Sequence, residues 1–173
     1  MELIYYVAAS LDGYIATPDG GVDWLDEFNG GDDDYGYSEF LGSVDVLLMG
    51  SLTWRRALEL GDWAWGDKPC VVFTRQELES DIPNLIVETR SPRVVVEELA
   101  RAGHQRAWLV GGGRLAAALL QEDLLTDVII SSMPVLLGAG IPLVHALGEV
   151  RSLSLEDTRC YSNGVVQSHY RVD

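Results

Sequence analysis

Twice in this chain an apolar run ends in glycine and passes directly into a helix-forming segment: VLLMGSLTW at 46–54 and WLVGGGRL at 108–115. Val44 to Met49 and Arg106 to Val110 read as buried strands. SLTWRRALEL and the alanine- and leucine-rich Leu115 to Leu120 read as helices, with Ser51 or Thr53 placed to cap the first. Two strand-to-helix switches in one chain call for an α/β body with a mostly parallel sheet.

Glycine at such a switch lets another group approach the main chain, because no Cβ stands in the way. The unpaired N–H groups and the positive dipole end of the following helix favour an anion there. Either junction alone could be a tight turn. Together they could set two helix starts against one pyrophosphate.

The remaining segments fit the same plan. Leu3 to Ala9 is a β-branched and aromatic first strand. SLDGYIATPDGGVDW follows, with Asp-Gly, Pro-Asp-Gly and Gly-Gly pairs that predict a long mobile loop, hinged at Gly20-Gly21 as a lid. After the acidic run Asp32-Asp33-Asp34, Tyr37, Phe40 and Leu41 stand at helical spacing. Cys70 to Thr74 and Asn84 to Val87 are two further strands, and SPRVVVEELARAG carries Ser91 as cap, Pro92 at the first helical position and Gly103 as stop. From Leu124 a strand, a Pro/Gly loop (MPVLLGAGIPLV) and two alternating strands joined at Asn163-Gly164 predict a C-terminal antiparallel hairpin with a type I′ turn. No linker or repeat divides the 173 residues, so residues 1–173 are expected to form one domain.

Charge narrows the ligand classes. The formal net charge is −15, with Lys68 the single lysine, which argues against nucleic acid as a partner. An anionic small ligand needs a local exception, and Arg55, Arg56, Arg75 and Arg114 follow strand-like segments where loops and helix starts converge. No apolar run has the length of a membrane span, and the N-terminus reads straight into a strand without an export signal, so a cytoplasmic protein is expected. Cys70 and Cys160 are too few and too far apart for a metal motif and read as buried thiols; no metal is expected. Trp63 and Trp65 stand on an exposed-looking loop and read as rim packing or a dimer contact.

Gly111, Gly113 and Ala116 satisfy G-x-G-x-x-A, the dinucleotide fingerprint. That fingerprint normally opens its sheet, whereas here it stands two thirds along the chain, and Ser131 occupies the position about 20 residues on where an acid should hold the ribose. The pair of junctions, with VAASLDGYIA near the N-terminus and VVFTR between them, resembles instead the dihydrofolate reductase superfamily from end to end. MPVLLGAGIPLV is most similar to the RibD C-terminal reductase domain of riboflavin biosynthesis and its stand-alone relatives. The resemblance implies a three-layer α/β sandwich of the dihydrofolate reductase type, with helices on both faces of the sheet and a C-terminal antiparallel hairpin.

It also implies an NADPH-dependent reductase acting on a pyrimidine or pterin-like heterocycle, most like 5-amino-6-(5-phosphoribosylamino)uracil reductase, and a homodimer. Dihydrofolate reductase proper and a catalytically inactive NADP-binding module are the alternatives. Carried over by position, Ala8, Ile15 and Ala16 would surround the nicotinamide. Gly50, Ser51, Leu52 and Thr53 would hold the pyrophosphate together with Gly111, Gly112, Gly113, Arg114 and Leu115. Thr74 and Arg75 would take the adenosine 2′-phosphate, since Ser51 stands where many folate reductases carry an arginine. Trp24, Leu137 and Gly138 would meet substrate. Asp34 is the carboxylate matched to the catalytic acid when positions are counted back from Gly50; counting on from Trp24 reaches Asn29 instead.

Overall fold

The computed structural model describes residues 1–29, 33–78 and 81–173; Asp32 lies outside them. The first strand, β1 (Glu2–Ser10), is followed by a three-residue β2 (Tyr14–Ala16), a 3-10 turn (Asp23–Phe28) and α1 (Tyr37–Ser43). Then come β3 (Val46–Gly50), α2 (Ser51–Glu59), β4 (Cys70–Phe73), β5 (Leu85–Glu88) and α3 (Pro92–Arg101). The second glycine junction joins β6 (Arg106–Gly111) to α4 (Gly113–Gln121), and β7 (Asp127–Met133), β8 (Ile141–Pro142), β9 (Leu153–Cys160) and β10 (Val166–Val172) complete the chain.

Eight strands form one sheet in the order β5-β4-β3-β6-β1-β7-β10-β9. β5 through β7 are mutually parallel, and β10 runs antiparallel to both β7 and β9. β2 and β8 pair antiparallel as a separate two-stranded ribbon. The apolar runs read from the sequence are the central strands because both their faces are covered. One face of β1, β3, β4 and β6 packs Leu3, Tyr5, Leu48 and Leu109 against Val95, Leu99, Leu115 and Leu119 of α3 and α4. The other packs Ile4, Tyr6, Leu47, Met49 and Trp108 against Phe40 of α1 and Trp54 of α2. Alternation along each strand therefore feeds two cores, which is the predicted three-layer α/β sandwich.

Three expectations need correction. The Asn163-Gly164 turn is not type I′, which requires positive φ at both residues; among these only Gly164 has it, at +87°. Gly164 N–H donates to Tyr161 O and Tyr161 N–H to Val165 O, the pattern of a longer hairpin loop closed by a left-handed glycine. The loop after β1 is not a free lid. Thr17 and Gly21 close a turn on themselves, and Arg56 of α2 donates to Gly20 O at 2.7 Å and Asp19 O at 3.1 Å. Cys160 is exposed, although Cys70 is buried as expected and burial pushes its thiol up to about 12.

Candidate functional site

β3 and β6 lie side by side and parallel, so both glycine junctions open at the same edge of the sheet. From β3 the chain leaves through α2 toward β4. From β6 it leaves through α4 toward β7, on the far side of β1. The connections diverge between β3 and β6, which makes this crevice the topological switch point where open α/β sheets bind ligands.

The first turns of the two helices close on each other there. A Cβ on Gly111 would stand 3.3 Å from Thr53 Oγ1, and one on Gly112 3.5 Å from it, so the bare backbone admits the threonine. The Gly111-Gly112 peptide is cis. Ser51 and Thr53 do not cap α2 as expected: Gly50 is the cap residue of α2 and Gly112 that of α4, and neither helix has a side-chain cap bond. Their leading N–H groups are left for a ligand.

The glycines differ in what requires them. At Gly50, with φ −85°, a Cβ would meet nothing within 4 Å. Neither backbone nor neighbours demand glycine there, and the space before the main chain is open. Gly113 is the opposite case, since a Cβ would fall 2.3 Å from Pro142 O and 3.0 Å from Leu143 O. The β8 backbone is fastened at this point by His145 N–H to Gly113 O, Leu143 N–H to Gly13 O and Tyr5 Oη to Leu143 O.

The sequence-matched residues fall around this crevice in three groups. Thr74 and Arg75 follow β4, and Arg75 is exposed with its guanidinium unengaged among the described residues. Arg55 of α2 reaches the same corner by donating to Gln76 Oε1. Arg114 and Leu52 are exposed on the first turns of α4 and α2, whereas Leu115 is buried under α4. Ile15 and Ala16 belong to the β2–β8 ribbon, where Gly140 packs on Ala16 O.

Beside the crevice, on the face carrying α1, a cavity of about 410 Å³ opens along β1 and β7. Its walls include Tyr6, Ala8, Phe28, Tyr37, Trp108, Ser131 and Met133, with Asn29, Asp33 and Asp34 also lining it. The rings form a connected set: Tyr6 and Phe40 lie 4.5 Å apart, Phe40 and Trp108 5.5 Å, Tyr37 and Trp108 5.8 Å, Trp65 and Trp108 5.7 Å, and Trp63 and Trp65 4.7 Å. Trp65 Nε1 donates to Tyr37 Oη at 2.9 Å, so the expected rim tryptophans brace the cavity wall. The polar floor is Ser131, 4% exposed, whose Oγ accepts from Gln167 Nε2 at 3.0 Å. Gln167 Nε2 also donates to Tyr35 O at 2.9 Å, and Tyr6 Oη donates to the same carbonyl. Burial pushes the Tyr6 phenol up to about 12, so it stays protonated.

Asp34 lines the cavity but is occupied. Its Oδ1 accepts from Gly36 N–H at 2.9 Å and its Oδ2 from Ser38 N–H at 3.0 Å, tying down the start of α1. Hydrogen bonds from Ser38 and Gly36 hold its carboxyl below the ordinary value of 3.8. A group so held carries no proton near neutral pH, and the geometry assigns it a capping role. Trp24, in the 3-10 turn, packs against the Phe28, Met133 and Val165 cluster, and its buried Nε1 has no partner among the described residues. Leu137 and Gly138 do not line the cavity. Their N–H groups donate to Asp12 at 3.1 and 2.7 Å, which fastens their loop to the turn after β1.

Sequence reasoning missed Tyr6, Tyr37, Trp108 and Gln167 because they come from four different elements. Ser131 gave one weak signal, a hydroxyl at a buried position of β7. A larger hollow of about 680 Å³ lies at the other end of the sheet, among Glu2, Arg106, Asp127 and His169. Neither helix start faces it. Among the described residues no group of His, Cys, Asp and Glu is placed to hold a metal, and no helix is long and apolar enough to cross a membrane.

The model of the RibD C-terminal domain matches residues 2–167. The chain belongs to the RibD C-terminal domain family. Within reach of this family stands protein YwjB of Bacillus subtilis (strain 168), 36% identical over 170 residues that cover 98% of this chain and 97% of that one. A putative riboflavin biosynthesis protein from Shewanella sp. PV-4 has a similar structure, with a TM-score of 0.88 at 29% identity, covering 100% of this chain and 99% of that chain. Dihydrofolate reductase from Enterococcus faecalis, complexed with NADP(H), shares the fold at 12% identity, with a TM-score of 0.67, covering 99% of this chain and 96% of its own. The RibD C-terminal family and the fold expected from the sequence are those found.

Proposed function

We propose that this chain is an NADPH-dependent reductase that transfers hydride to a pyrimidine or pterin-like heterocycle. The observation that carries the reading is the meeting of two uncapped helix starts at the β3–β6 switch point, directly beside an aromatic cavity. The residues fit the cofactor: Gly50 keeps open space before the main chain, and Thr53 stands over Gly111 and Gly112 with its hydroxyl toward the same crevice. Ser51 to Thr53 and Gly112 to Arg114 would hold the pyrophosphate through N–H groups. Arg75, with Arg55 beside it, would take the 2′-phosphate that distinguishes NADPH from NADH.

When bound, the cofactor supplies the hydride. The protein's contribution is position and exclusion of water. Ala8, at the carboxyl end of β1, leaves room for a flat ring against the strand, and Tyr6, Tyr37 and Trp108 provide an aromatic wall for a heterocycle. Ser131 and Gln167 fix the floor of the cavity. Asp34 holds α1 and the cavity wall in place.

The test is label transfer. The protein is incubated with NADPH deuterated at the reactive carbon and, separately, with 5-amino-6-(5-phosphoribosylamino)uracil, its dephosphorylated riboside and a dihydropterin, and product mass is read. Deuterium in any product supports the reading. Saturable NADPH binding without transfer to any of the three would leave a binding module.

A further inference from the structure

The charge of the cavity bears on which heterocycle it accepts. Among the described residues lining it, the charged side chains are Asp33 and Asp34, and no lysine or arginine contributes. The guanidinium sharing this row of the sheet is Arg159, opposite Gln167 in the β9–β10 pairing, and it is engaged by Asp157 at 3.1 Å outside the lining. Asp34 keeps both oxygens on backbone N–H groups and stays ionised. The contrast with the neighbouring crevice is sharp: there, helix starts and arginines welcome anions, while here carboxylates stand among aromatic rings.

Resting on the reductase reading above, we infer that the substrate of this site is an unphosphorylated heterocycle, uncharged or cationic and bearing ring amino groups, in place of a sugar phosphate conjugate. Its ring rests on the aromatic wall that half-buried Tyr37 forms with the edges of Tyr6 and Trp108, and the carboxylate of Asp33 accepts from its amino hydrogens. A volume of about 410 Å³ holds a bicyclic ring or a pyrimidine with a neutral sugar. A dianionic phosphate brought to roughly 6 Å from one carboxylate loses about tenfold in affinity even at the dielectric constant of water. Two carboxylates at the wall compound that loss, and added salt weakens it.

The experiment uses the full chain saturated with NADPH and follows tryptophan fluorescence as 5-amino-6-(5-phosphoribosylamino)uracil or its dephosphorylated riboside is added. The riboside is expected to bind at least about tenfold more tightly than the phosphate, and Asp33→Asn is expected to narrow that ratio severalfold. Equal or tighter binding of the phosphorylated compound overturns the inference and leaves the reductase reading intact. Binding of neither compound, nor of a dihydropterin, to the NADPH-saturated protein also overturns it, since the cavity would then not be a heterocycle site. Failure of NADPH itself to bind is a different result, which removes the reductase reading on which the inference rests.

Discussion

Replacing Gly113 by alanine and Gly50 by alanine should have opposite consequences, although both residues open a helix at the same crevice. The methyl group at 113 would lie 2.3 Å from Pro142 O and 3.0 Å from Leu143 O, about 1 Å inside ordinary contact with the first of these. Both neighbours are main-chain atoms of a segment fastened through His145, Leu143 and Tyr5, so they cannot step aside as a flexible side chain would. Overpacking of this kind costs about 2–3 kcal/mol, or about 4–12 °C in Tm for a chain of this size. At Gly50 the methyl group meets nothing and φ is ordinary, so the stability cost is that of a poorer helix cap, about 0.5–1 kcal/mol. Its effect falls on the cofactor: NADPH affinity should drop by about tenfold or more, because the methyl occupies the space kept for the phosphate. Calorimetric melting and NADPH titration of both variants separate the two roles. An unchanged Tm for Gly113→Ala, or undiminished NADPH affinity in Gly50→Ala, would refute the assignment of one glycine to packing and the other to binding.

Asp34 gives a pH prediction. Its folded pKa lies below the ordinary 3.8, so the unfolded chain takes up its proton first. The stability it adds is present above that value and is lost as pH falls through it toward the folded pKa. The difference in urea midpoint between wild type and Asp34→Asn should therefore be constant above pH 5 and shrink below about pH 4; a difference unchanged down to pH 2 contradicts the capping role. Arg56→Ala removes two charge-assisted bonds to Asp19 O and Gly20 O, together worth about 1.5–3 kcal/mol locally. Hydrogen exchange at Thr17 and Gly20 should accelerate by roughly ten- to a hundredfold, and no change would mean the turn holds itself.

How far the sequence led depended on how local each signal was. β1, β3, β4 and β6 were legible because a strand buried on both faces must be continuously apolar, and α2 and α4 because glycine marks their starts. The turn at Asn163 was misread because its dipeptide is compatible with several loop lengths, and pairing across β9 and β10 decides among them. The loop after β1 carried every mark of mobility, yet a guanidinium 36 residues away in sequence pins it. Gly113 carried the same signal as its neighbours, and only the β8 backbone lying against it reveals why a side chain is excluded there. The cavity was largely hidden, since Tyr6, Tyr37, Trp108 and Gln167 converge through sheet order, which no single segment encodes.

The reductase reading requires NADPH in the β3–β6 crevice, with Arg75 on its 2′-phosphate. Fluorescence titration of NADPH and NADH into wild type and Arg75→Ala tests it most directly. The substitution is expected to weaken NADPH by about 1.5–3 kcal/mol and to leave NADH nearly unchanged. Binding of neither nucleotide to the wild type would contradict it.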